Sequence, residues 1–166
     1  MKKARVFPVV LVLSAFLLVP SAFGADDMAK KLNDVLSKAP AEKFWQIPAD
    51  EVLAMINTKK TDFLVVDVRP NPAEYGQGHI PGAIAIPVQD ILKPENLKKL
   101  PKDKKLVLAC VTGQTQNLPV VALRALGYKA YTMAFGMAAW TKGYHGAQKM
   151  QEAINNAAAK NYPLAK

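Results

Sequence analysis

The sequence predicts an α/β sandwich built on a mostly parallel sheet, and three observations carry that expectation. Short, largely apolar runs at 63–68, 83–86 and 106–109 have the length of buried strands, and 129–133 reads as a further strand. Segments with helical spacing separate them. The run Leu106-Val107-Leu108-Ala109 also gives way at Cys110 to a loop of small and polar residues, Val111-Thr112-Gly113-Gln114-Thr115, and then to an apolar helix ending at Gly127. Strand, loop, helix is the order by which open α/β sheets present ligand sites at the carboxyl ends of their strands.

The chain of 166 residues is the size of one domain. Residues 1–24 are expected to lie outside it. Lys2, Lys3 and Arg5 precede an apolar run at 6–19, and Ala22 and Gly24 are small residues where a signal peptidase reads. The pattern is that of a secretory signal peptide, and the run is short for a membrane span. No cysteine follows it, which excludes a lipid anchor there and leaves no stable membrane anchor expected. Cleavage after Gly24 takes away three basic residues and no acid, so the formal charge of +9 becomes +6. The expected location is the periplasm, or outside the cell.

Each element of the mature chain has its own reason. Met28, Leu32, Val35 and Leu36 have helical spacing over 26–38, a helix that Pro40 ends. Residues 25–45 are thus an N-terminal helix and linker, with Phe44-Trp45-Gln46-Ile47 leading into a domain at 46–145. Pro48 opens a helix to Asn57, with Asp50 and Glu51 in the favoured first turn. The strand at 63–68 is broken by Arg69-Pro70-Asn71-Pro72. Residues 88–100 read as helical but interrupted by Pro94. After the Cys110 loop, Asn117 is placed as N-cap, Pro119 in the first turn and Gly127 as the C′ residue. A short helix at 136–142 carries Trp140, and Met150, Ile154, Ala157 and Ala158 mark a last helix within 146–166, expected to pack on the domain. Trp140 and Phe135 read as core residues.

The lysines are distributed along the chain and not interleaved with aromatics, which argues against a nucleic-acid partner. Cys110 is the only cysteine, so it has neither an internal disulfide partner nor a resolving thiol. His79 and His145 lack metal-ligand spacing to it, and no metal is expected. A glycine-containing loop ahead of a helix can turn successive N–H groups inward, and such a nest favours negative charge at its centre. That makes Cys110 the candidate nucleophile. Asp67 and Arg69 are read either as a catalytic pair or as a buried pair bracing loops, and His79 either as a general base or as a loop histidine bonded to backbone.

Three stretches together resemble the rhodanese, or sulfurtransferase, family. They are Asp67-Val68-Arg69 followed by Glu74-Tyr75-x-x-Gly78-His79-Ile80-Pro81-Gly82-Ala83-Ile84-x-Ile86-Pro87; Cys110-x-x-Gly113-x-Thr115; and Gly127-Tyr128 followed by Gly136-Met137-Ala138-Ala139-Trp140. The resemblance covers about residues 47–143. It implies a three-layer sandwich on a five-stranded sheet, no cofactor, and a Cys110 that carries sulfane sulfur as a persulfide. The partners implied are a small sulfur donor, thiosulfate or a persulfide or polysulfide, and a thiol or cyanide acceptor; no protein partner is specified. Val111, Thr112, Gly113, Gln114 and Thr115 are the implied substrate-binding residues. A rhodanese-like module that binds a sulfur compound or partner without turnover is the alternative. A phosphatase or arsenate reductase of related fold would need an arginine closing the loop, and the nearest is Arg124.

Two departures stand out. Many members carry a basic residue in the loop, where this chain has Val111, Thr112, Thr115 and Gln116; and Phe135 replaces the first of two usual glycines, where it would narrow the pocket mouth. The export expectation is tested by N-terminal sequencing of the exported protein: the first residue should be Ala25, and a membrane-bound chain retaining residues 1–24 would contradict it.

Overall fold

The computed structural model describes residues 24–165; most of the expected signal peptide lies outside them. Five parallel strands form one sheet in the order β1-β5-β4-β2-β3, where β1 is Gln46–Ile47, β2 Phe63–Asp67, β3 Ile84–Ala85, β4 Lys105–Ala109 and β5 Lys129–Met133. The sheet is therefore parallel throughout. Its central strands alternate between two buried faces. Leu106, Leu108 and Cys110 point to one, with Trp45, Val120 and Leu123, while Val107 and Ala109 point to the other, with Val52, Met55 and Met133. Both faces are covered, which is why these strands read as unbroken apolar runs.

The helices are α1 (Ala25–Leu36), α2 (Ala49–Asn57), α3 (Ala73–Gln77), α4 (Pro94–Leu97), α5 (Val120–Ala125) and α6 (His145–Lys160). Among the described residues no helix is long and apolar enough to cross a membrane. Several expectations need correction. Only four residues of 88–100 are α-helical, because Pro94 lacks an N–H and can only start a helix; the residues before it form hydrogen-bonded turns, Asp90 to Pro87 and Lys93 to Asp90. Asn117 does not cap α5, which begins three residues later behind Pro119. Phe135 is not core but 62% exposed. The packing expected of the last helix is confined to its start: Gly146 is buried, whereas 151–160 are all exposed.

Residues 40–45 are more than a linker. Lys43, Phe44 and Trp45 have φ of 53°, 53° and 58°, a left-handed turn that costs roughly 1–2 kcal/mol per non-glycine residue. The turn delivers Trp45 into the core, 4% exposed. There the Arg124 guanidinium lies 4.3 Å from the Trp45 ring and 4.8 Å from that of Tyr131. Arg124 also donates to Ala130 O (2.9 Å) and pairs with Glu42 (3.0 Å). The Glu42 pair is partly solvated and contributes little; stacking and the carbonyl bond carry the contact. Arg124→Ala should lower unfolding free energy by about 2 kcal/mol, measured by urea denaturation, and an unchanged midpoint would show that the segment is not anchored this way.

Candidate active site

Cys110 leaves β4 at the carboxyl edge of the sheet, between the ends of β2 and β5. Its backbone is held from both sides. The Cys110 N–H donates to Gln116 Oε1 (2.8 Å), and Gln116 Nε2 donates to Met133 O (2.5 Å), so a buried side chain spans from β4 to β5. With a donor on one side and an acceptor on the other, the orientation of that amide is fixed. Met137 N–H donates to Cys110 O (2.8 Å) and Ala138 N–H to Val111 O (3.0 Å).

The rest of the loop is tied in the same sense. Asn117 Nδ2 donates to Gly113 O (2.6 Å), Asn117 N–H to Gln114 O (3.2 Å) and Leu118 N–H to Thr115 O (3.1 Å). The carbonyls of residues 110, 111, 113, 114 and 115 are thereby all engaged. The N–H groups of 111–116 have no acceptor among the described residues. Carbonyls held and amides unpaired leave the loop a set of donors, the arrangement that suits an anion. The Thr115 hydroxyl likewise makes no hydrogen bond among the described residues.

Close approach of two backbones maintains this shape. Gly113 has φ 85°, and a Cβ there would lie 2.8 Å from Phe135 Cα and N. Gly136 has φ 55°, and its Cβ would run into Cys110 O and lie 2.8 Å from Gly113 N. Only glycine fits either position. Phe135, at φ 61° and ψ 7°, takes the same left-handed conformation with a side chain. Its ring lies with Ala138, Met150 and Ile154 along an apolar groove.

Asp67 ends β2 and Arg69 lies two residues beyond it; they are 5% and 3% exposed. Arg69 donates to both Asp67 oxygens, to Gly78 O (2.7 Å) and to Tyr144 Oη (3.4 Å), and Tyr144 Oη donates to Glu74 (2.9 Å). Burial opposes the Arg69 charge, but hydrogen bonds to Asp67 and Tyr144 outweigh it and hold its pKa above the ordinary value. Burial raises the Tyr144 phenol, reinforced by its bond to Glu74 and opposed by Arg69. These residues connect three loops, and none of their hydrogen bonds is to Cys110. His79 stacks on Tyr75 at 3.8 Å and donates from Nδ1 to Tyr75 O (3.0 Å). A cavity of about 410 Å³ bounded by Arg69, Glu74, Trp140, Tyr144 and His145 lies beside the loop and is not lined by Cys110. Among the described residues no group of three or more His, Cys, Asp or Glu could hold a metal.

Sequence reasoning brought Cys110 and the loop together but missed Gln116 and Asn117 as its clamps. A glutamine six residues after a cysteine carries no signal of where its amide points; only the adjacency of β4 and β5 makes it a bridge.

The model of the rhodanese-like domain matches residues 48–143. The chain is 34% identical over 113 residues to a tRNA sulfurtransferase of Desulfurococcus amylolyticus, covering 68% of this chain and 21% of that protein. It is 35% identical over 86 residues to a sulfurtransferase of Allochromatium vinosum, covering 51% and 76%. The chain thus spans about a fifth of the former relative and three quarters of the latter. A rhodanese-like domain protein of Staphylococcus aureus has a similar structure, with TM-score 0.52 and 31% identity over 59% of this chain and 93% of that one. Sulfurtransferase relatives support a general role in sulfur transfer. Fold, family match and relatives agree, and the chain belongs to the rhodanese family.

Proposed function

We propose that the protein is an exported, periplasmic sulfurtransferase that carries sulfane sulfur on Cys110. The observation that carries this reading is the loop in which the N–H groups of 111–116 are unpaired while the neighbouring carbonyls are held by other donors. The Cys110 thiolate attacks the sulfane sulfur of the donor; a new S–S bond forms, the donor's S–S bond breaks, and the donor remnant, sulfite from thiosulfate, leaves with the electron pair. An acceptor thiolate or cyanide then attacks the outer sulfur, taking it and returning the Cys110 thiolate. No external oxidant or reductant is consumed. The loop amides stabilise negative charge on the outer sulfur between the two steps.

A second reading is a sulfur-binding module with negligible turnover. The burial of Cys110, 1% exposed, favours it. The uncharged loop bears on the same choice. With no lysine or arginine in 111–116, a doubly charged donor is held by amides and the diffuse field of the chain, which fades over a Debye length of roughly 10 Å at 0.1 M salt. Less charged organic persulfides or polysulfides lose less by that absence.

Steady-state assays with thiosulfate and a polysulfide test this account. Wild type should use the polysulfide with the lower KM, Val111→Arg should lower KM for thiosulfate about tenfold, equivalent to 1.4 kcal/mol, and Cys110→Ser should abolish transfer from both. Saturation of wild type at micromolar thiosulfate would refute the argument from missing charge, and turnover by Cys110→Ser would refute the mechanism. The clamp is tested separately. Gln116→Met leaves the Cys110 N–H and Met133 O buried and unpaired, so stability should fall by about 2–4 kcal/mol, with kcat reduced at saturating donor. An unchanged denaturation midpoint would show that Gln116 does not hold the loop.

A further inference from the structure

Lysines scattered along the sequence are gathered at one end of the fold. Parallel strands start at the same edge, and the segments that lead into β2, β4 and β5 are joined there by hydrogen bonds: Lys105 N–H to Asp62 O (2.9 Å), Tyr128 Oη to Leu97 O (3.0 Å) and Lys129 Nζ to Asp103 O (3.0 Å). Lys59 and Lys60 precede β2, Lys98, Lys99, Lys102 and Lys104 precede β4, and Lys105 and Lys129 open β4 and β5. The same segments carry three carboxylates, Asp62, Glu95 and Asp103. None of these eight lysines makes an ion pair among the described residues. At about 3.3 Å of rise per residue, β4 puts this end roughly 16 Å from Cys110.

We propose that this lysine-bearing edge docks the protein on an anionic phospholipid surface, with the Cys110 loop turned away from it. The cations are all lysine, compact mobile charges that suit an array of headgroup phosphates better than paired recognition of one carboxylate. Leu126, 45% exposed, lies just ahead of β5 at the same edge and offers an apolar side chain to the headgroup layer. A single-stranded nucleic acid would call for exposed aromatic faces, but Tyr128 is buried, with the Lys102 ammonium 5.2 Å from its ring. An acceptor protein bound here would sit at the wrong end for Cys110. A lipid surface instead leaves the reactive loop open to solution.

The test is co-sedimentation of the full chain with vesicles of equal parts phosphatidylglycerol and phosphatidylcholine, beside vesicles of phosphatidylcholine alone. Two triple variants of equal net charge accompany it: Lys59→Glu, Lys60→Glu and Lys98→Glu at this edge, and Lys38→Glu, Lys43→Glu and Lys149→Glu elsewhere. Wild type should bind the anionic vesicles and be released at about 0.5 M salt, where screening shortens to a few ångströms. The edge variant should lose at least tenfold in partitioning, and the second variant much less. Equal binding to neutral vesicles would assign attachment to the apolar run at 6–19 and overturn the proposal. An equal loss in both variants would assign it to net charge and overturn it as well, as would no binding by wild type.

Discussion

The loop after Cys110 depends on its carbonyl oxygens being engaged by donors from flanking segments. A chain that curls tightly has no intrinsic preference for presenting N–H over C=O. Here the choice is made from outside the loop, by Met137 and Ala138 on one flank and by Asn117 and Leu118 on the other. Gln116 adds the remaining tie, taking the Cys110 N–H itself and fixing it to the end of β5. Asn117 and Leu118 reach carbonyls three or four residues back, whereas Met137, Ala138 and the Gln116 bridge lie where they do because β4 and β5 are neighbours and because Gly113 and Gly136 let two backbones meet without a Cβ between them. A substitution at either glycine would therefore act on the loop through shape, with no change in charge.

The same sheet divides the molecule by charge and by chemistry. Strand starts carry the lysines, and strand ends carry Cys110 and the Asp67–Arg69 cluster. The guanidinium at the chemical end is hydrogen-bonded to Asp67, Gly78 and Tyr144, contacts that tie neighbouring loops together. Around Cys110 the electrostatics are those of backbone dipoles. That is the physical reason a donor's own charge should matter less here than in a loop with its own cation.

The sequence revealed its fold wherever burial was continuous. The interiors of β2 and β4 are apolar on both faces and announce themselves. β1 does not: two residues between Trp45 and Pro48 show no period, and they are a strand only because Ala134 and the end of β5 pair with them. Phe135 misled because aromatic residues are usually buried, whereas its left-handed backbone between Ala134 and Gly136 leaves the ring outside. The lysines looked dispersed because proximity at a sheet edge has no counterpart in sequence distance. The position of the candidate nucleophile was legible, since one cysteine at a strand-to-loop junction is a positional signal. The clamps around it were not, since a Gln and an Asn acquire their partners only on folding.

The central claim is that this loop exists to hold an anionic sulfur on Cys110, and intact-protein mass spectrometry tests it most directly. The purified chain is incubated with a polysulfide donor, then with cyanide, and the modified peptide is mapped after each step. The account predicts a gain of one sulfur atom on the Cys110 peptide that cyanide removes. A chain that gains no sulfur from any sulfane donor, or gains one that cyanide leaves in place, would contradict it.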